Sequence, residues 1–206
     1  MVNSFEAHDL LWGMTPAQLP ADAPKWVSDA LGAGHPVVVR RALTAPDQVA
    51  VGVRGRLREQ RYAALMPVDA VQRCVKPQAL CHVSINRDVP ALRALAQLRP
   101  WLDDSAWVWG VSGSAGFELA CGVQALHEGS DLDLILRTPH PMDRRQAQAW
   151  VEVLEGAVCP VDVQLQTPFG AVALREWAGP ARRVLLKSAS GACLVADPWL
   201  ALEHVA

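Results

Sequence analysis

Two short stretches of this 206-residue chain carry residue types suited to phosphate chemistry. The first is Gly113-Ser114, ahead of a helix-length segment. The second is Ser130-Asp131-Leu132-Asp133-Leu134-Ile135-Leu136, with sixteen residues between Ser114 and Asp131. Residues i and i+2 of a strand share a face. Asp131 and Asp133 therefore present two carboxylates side by side while Leu132 and Leu134 enter the core. Adjacent carboxylates repel unless a cation joins them, and hard oxygen ligands suit Mg²⁺ carrying substrate phosphates. The Gly-Ser turn supplies the complementary half, with backbone N–H groups and a hydroxyl at a helix N-terminus, where phosphate is favoured. Both halves in this order point to metal-dependent phosphoryl transfer, with Asp131 and Asp133 as metal ligands.

Such chemistry also needs a group to position or deprotonate the nucleophile. Asp162 is the candidate, because alternation in Val161-Asp162-Val163-Gln164-Leu165-Gln166 sets it on a polar face with Gln164 and Gln166. An exposed strand acid is the plainer account. Ser114 can bind phosphate or simply cap its helix. Ser130 can cap, turn the chain or bond an acid, and Glu118 reads as a surface acid one turn beyond Ser114. Lys187, one of three lysines, either neutralises a phosphate chain or snorkels from a strand edge. Arg54, Arg56, Arg58 and Arg61, with Arg40 and Arg41 nearby, form the densest basic run. It serves an anionic partner or is a solvated edge. His8, His35, His82, His127, His140 and His204 lack metal spacing. The Trp residues from Trp101 to Trp199 suit packing, and no Gly-x-Ser-x-Gly frame supports a hydrolase.

These residues need a scaffold, and the bulk composition permits one. With 51% hydrophobic residues and a net charge of −2, the chain is globular and is no generic polyanion binder, so nucleic acid is not expected. No apolar run approaches a membrane span of roughly 18 residues. Met1 to Glu6 lacks a signal-peptide build, and five widely spaced cysteines read as reduced core residues of a cytoplasmic protein. The pattern predicts a helix over 26–31, ended by Gly32, and a small β-rich unit over 36–76. A further helix is expected from Pro90 to Leu98, closed by Pro100. Strands at 107–111, 131–137 and 161–166 alternate with helices at 115–126 and 143–154, and two strands at 183–187 and 192–195 end the chain. The expected division is a small α+β domain over 1–82 and a catalytic domain over 83–206. The fold class is α/β (α+β), a mixed sheet flanked by helices.

The Gly-Ser and Asp-x-Asp elements resemble those of the nucleotidyltransferase superfamily. With His8-Asp9-Leu10, Val38-Val39-Arg40-Arg41, Val161 to Leu165, Leu186-Lys187 and Asp197-Pro198-Trp199, nearly the whole chain resembles the malonate decarboxylase holo-acyl-carrier-protein synthases, which are phosphoribosyl-dephospho-CoA transferases. The resemblance implies a triphosphoribosyl-dephospho-CoA donor and, as acceptor, a serine of the apo acyl carrier protein subunit of malonate decarboxylase. Pyrophosphate would leave. Asp131 and Asp133 match the family's paired carboxylates. The Gly113-Ser114 turn, with Ser130 and Lys187, would contact the donor, and Asp162 would act on the serine. Two rivals stand beside this expectation. One is another Mg²⁺-dependent nucleotidyltransferase acting on a protein, RNA end or small molecule. The other is a non-catalytic binder of a nucleotide or CoA derivative, for which adjacent repelling carboxylates have no use.

Overall fold

The computed structural model describes residues 5–57 and 59–200, so Met1 to Ser4, Arg58 and His204 lie outside the described residues. It shows an α+β fold with two sheets. The first is wholly antiparallel, in the order β4-β3-β2-β1-β5, and comprises β1 (Leu10–Trp12), β2 (Val37–Val39), β3 (Gln48–Arg54), β4 (Arg61–Pro67) and β5 (Arg73–Val75). One face is apolar. Val49, Val51 and Val53 of β3 pack with Met66, Val37 and Leu11 against Val27 and Leu31 of α1 (Lys25–Gly32). The alternate residues of β3 (Ala50, Gly52 and Arg54) stand opposite Leu65, Ala63 and Arg61 of β4 on the second face.

The second sheet runs β11-β10-β9-β8-β7-β6. Its strands are β6 (Val108–Val111), β7 (Leu132–Arg137), β8 (Val161–Thr167), β9 (Gly170–Ala173), β10 (Val184–Ser188) and β11 (Gly191–Val195). β7 and β8 are parallel and the other pairs antiparallel. The β7–β8 crossover is α4 (Arg144–Glu155), capped by the Asp143 side chain, which accepts from Gln146 N at 2.8 Å. Leu132, Leu134, Leu136, Val161, Val163 and Leu165 share one core with α2 (Pro90–Asp103), α4 and α5 (Leu174–Ala178). By alternation, Asp133, Ile135 and Arg137 with Asp162, Gln164 and Gln166 occupy the other face.

The first sheet closes over part of that face. Arg41 donates to Gln166 Oε1 at 2.7 Å, and Arg137 pairs with Glu6 at 3.0 Å. These contacts cover the Arg137–Gln166 end and leave Asp133 facing a cleft, with Asp162 exposed beside it.

Several local expectations shift. The helix after the Gly-Ser turn is α3 (Gly113–Cys121) and stops short of residue 126, because Gly122 takes φ +73° and caps it. Pro100 does not end α2, which continues to Asp103. Leu102 is fully buried and Trp101 stacks edge-on to Trp150 at 4.3 Å, so packing outweighs the one helical bond a proline removes. All five cysteines are free thiols, but Cys81 alone is buried and Cys74 is exposed, so they are not uniformly core residues. Among the described residues no helix is long and apolar enough to cross a membrane.

Candidate active site

Ser112, at the end of β6, is bonded into the sheet through its N–H to the Asp133 carbonyl at 2.9 Å. It is the N-cap of α3, so Ser114 is not the cap but lies in the first turn. Gly113 takes φ +59°, and a Cβ there would overlap the Asp133 carboxylate, lying 2.5 Å from its Cγ. Only glycine lets the turn approach that carboxylate so closely. The Gly-Ser turn and Asp133 are thereby one packed unit.

A cleft cavity of about 400 Å³ opens on this unit. Gly113, Ser114, Ser130, Asp131 and Asp133 line it, as do Arg54, Arg56 and Arg61 from the first sheet and its β3–β4 loop. Asp131 sits just before β7 rather than in it, yet both carboxylates reach the cavity. Asp162 stands beside Asp133 in the parallel register and is exposed, but it is not among the described residues lining the cavity. Ser130 is buried and its hydroxyl accepts from His127 N at 3.0 Å, shaping the loop that delivers Asp131.

Lys187 lies elsewhere. It is exposed, and the register runs from it through Ala171 and Gln166 to Arg137, four residues along β7 from Asp133. Strand connectivity separates it from the cavity, which its place in the sequence did not reveal.

Arg54, unlike Lys187, lines the cavity. Its Nη2 donates to Ser114 Oγ at 2.7 Å and to the Ala125 carbonyl at 3.4 Å, and its guanidinium lies 5.5 Å from the Phe117 ring centroid. Burial, then the neighbouring Arg61 charge, lowers its pKa to about 10, against the opposing pull of Asp133. It remains cationic at neutral pH. Arg54 and Arg61 are direct cross-strand partners, so two cations enter the cavity together.

Glu118 is a second group misjudged from sequence. It is 1% exposed rather than a surface acid. It accepts from Ala125 N and Leu126 N, each at 2.8 Å, and from the Arg87 guanidinium. Burial alone would raise its pKa, but those backbone bonds and Arg87 outweigh it and lower the pKa. Glu118 thus pins the loop whose Ala125 carbonyl meets Arg54. The i,i+4 spacing from Ser114 held no hint of this, because the partners lie seven and eight residues downstream.

Two carboxylates, three arginines and a helix N-terminus around one cavity have the groups to bind a phosphate chain. Among the described residues no three His, Cys, Asp or Glu side chains converge on a metal position. Two carboxylates nonetheless match Mg²⁺, which is bound through one or two carboxylates together with substrate phosphates and water.

Comparisons with known proteins carry the description further. Residues 79–198 match the model for the C-terminal domain of phosphoribosyl-dephospho-CoA transferase MdcG, and residues 6–77 match its N-terminal domain. A Pseudomonas fluorescens phosphoribosyl-dephospho-CoA transferase is 66% identical over 206 residues, covering 100% of both chains. Proteins of the same name from Azotobacter vinelandii and Pseudomonas aeruginosa are 56% and 53% identical. The first covers 94% of each chain, and the second 96% of this chain and 95% of the relative. No solved structure matches significantly. The chain belongs to the MdcG family of phosphoribosyl-dephospho-CoA transferases, and is accordingly an enzyme.

Proposed function

We propose that the protein transfers the 2′-(5″-phosphoribosyl)-3′-dephospho-CoA group from its triphosphate precursor to a serine of the apo acyl carrier protein subunit of malonate decarboxylase. The observation that carries this reading is the convergence of Asp131, Asp133, Arg54, Arg61 and the Gly113–Ser114 turn on one cavity. That set can hold a triphosphate, and family membership supplies the group transferred. The triphosphate lies with its leaving end toward the α3 N-terminus, where backbone N–H groups, Ser114 and Arg54 face it. Asp131 and Asp133 would hold Mg²⁺, which when bound neutralises phosphate charge and polarises the reacting phosphorus.

The serine oxygen forms a bond to the phosphorus nearest the ribose, and the bond from that phosphorus to the bridging oxygen breaks. Pyrophosphate leaves with the electron pair, and Arg54 and the turn stabilise its developing charge. The serine proton passes to Asp162, whose exposed position beside Asp133 suits an incoming carrier. Held together, the reactants need little reorganisation. The protein is thus a nucleotidyltransferase in reaction type.

Donor choice tests the proposal. With Mg²⁺ and an apo carrier, the triphosphoribosyl-dephospho-CoA donor should release pyrophosphate while ATP and CTP do not. Equal release from ATP or CTP would replace this reading with a general nucleotidyltransferase.

A further inference from the structure

The reaction cavity accounts for the donor's triphosphate but not for the longer part that is carried along unchanged. Beyond Arg54 and Arg61 the second face of the first sheet continues away from the reaction cavity. The next cross-strand pair is Gly52 and Ala63, and the next Ala50 and Leu65. Gly52 has no side chain and Ala63 is exposed, so the strands form a shallow floor bounded by arginines at one end. Two more cavities lie on it in series. The inner one, about 420 Å³, shares Arg54, Arg61 and Gly113 with the reaction cavity and adds Arg40, Gly52 and Ala63. The outer one, about 600 Å³, shares Arg40, Tyr62 and Ala63 with the inner and ends on Leu43 and Leu65. Leu43 and Leu65 are 76% and 49% exposed.

The chemistry along this floor is graded. Cations stand at the reaction end, Arg40 lies across the middle with its Cδ over Gly52, and bare leucines close the far end. From Arg54 to Ala50 the strand spans about 13 Å. A dephospho-CoA arm has a matching order: an adenosine next to the reacting phosphoribosyl group, then a diphosphate, then an uncharged pantetheine chain.

We propose that the second face of β3 and β4, from Arg54–Arg61 across Gly52–Ala63 to Leu65 and facing Val111, Ser112 and Phe117 at its inner end, binds the dephospho-CoA arm of the donor. The inference rests on the transferase reading above. The adenosine packs on Ala63 beside the Arg40 stem that covers Gly52, the Arg40 guanidinium pairs with the diphosphate, and the pantetheine lies against Leu43 and Leu65. The larger cavity behind the β3–β4 loop also adjoins the reaction cavity, through Arg54, Arg56 and Ala125, but the order of charge favours the β3–β4 face over it. That cavity, about 830 Å³, is lined by Trp26, His35 and Phe117 and carries no third arginine beyond Arg54 and Arg56.

The test uses calorimetry on the full chain with Mg²⁺ and two probes, 3′-dephospho-CoA and inorganic triphosphate. Ala63→Leu places uncharged bulk on an exposed position of the floor, and Leu65→Asn removes the apolar end. Each should weaken 3′-dephospho-CoA binding by at least about tenfold while leaving triphosphate binding unchanged. Unchanged 3′-dephospho-CoA affinity in both variants, with melting temperatures near wild type, would overturn the cradle. So would a loss produced by Trp26→Ala instead. Failure of the wild type to bind the complete donor would overturn the transferase reading itself, a result separable from the first two.

Discussion

Replacing Gly113 by alanine isolates the contact that joins the Gly113–Ser114 turn to the Asp133 carboxylate. The added Cβ would overlap Asp133 Oδ2 and lie 2.5 Å from Cγ and 2.7 Å from Cβ, atoms of a side chain anchored in β7. The carboxylate or the turn must retreat by roughly an ångström, a displacement that typically costs about 100-fold in rate. The left-handed φ of +59° adds backbone strain of about 1–2 kcal/mol. Gly122 is the matched control: φ is +73°, but a Cβ there meets nothing within 4 Å. Both variants should lose thermal stability through the left-handed φ, Gly113→Ala the more because of the added overlap, while only Gly113→Ala loses transfer activity by about two orders of magnitude. Initial rates at saturating donor, with calorimetric unfolding of both variants, measure this. A Gly113→Ala enzyme working within a few-fold of wild type would refute the argument that this close approach sets the geometry of Asp133.

Asp131→Asn and Asp133→Asn should each cut transfer by at least about 100-fold and weaken Mg²⁺-dependent donor binding by calorimetry, with the fold retained. Asp162→Asn should lower kcat strongly while donor affinity holds; affinity falling with kcat would make Asp162 a ligand, and no change in either would make it a surface acid. Glu118→Ala should destabilise the protein by about 3 kcal/mol, since Arg87 and two backbone N–H groups lose a buried acceptor. Because the folded Glu118 pKa is depressed, its stabilisation is present above its ordinary value of 4.5 and lost as pH falls below it, a dependence the variant should lack in acid unfolding curves. His8 is depressed from 6.5 to about 4 by burial and then by Arg41, opposed by Gln164, with Arg137 adding to the depression. The unfolded chain takes up that proton first, so stability should fall as pH drops from 6.5 to 4, and His8→Asn, which suits its φ of +77°, should flatten that interval.

Much of the architecture was readable wherever periodicity or caps were strong. The helix expected over 143–154 is α4, which the structure shows capped by Asp143 and Gln146, and alternation in Val161 to Gln166 announced β8. Strands β1 and β5, of three residues each, are too short to show a period, and β4 hides its alternation because alanines occupy both faces. Of the candidate cavity's lining, Gly113, Ser114, Asp131 and Asp133 were legible together from local spacing because two adjoining segments carry them. Arg54 was visible only as part of a basic run, since its partner Ser114 is sixty residues away and only the packing of two sheets joins them. Lys187 shows the converse: a suggestive residue type at a strand, carried away from the cavity by sheet order.

The central claim meets its most direct test in the mass of the carrier. Purified protein, Mg²⁺ and the triphosphoribosyl-dephospho-CoA donor are incubated with the apo acyl carrier subunit of malonate decarboxylase, and the carrier is analysed by intact-mass and peptide spectrometry. The account predicts a gain equal to one phosphoribosyl-dephospho-CoA group on a single serine, with equimolar pyrophosphate, and no gain with Asp133→Asn. A carrier that stays unmodified by the wild-type protein while the donor is bound, or modification that survives in Asp133→Asn, would contradict it.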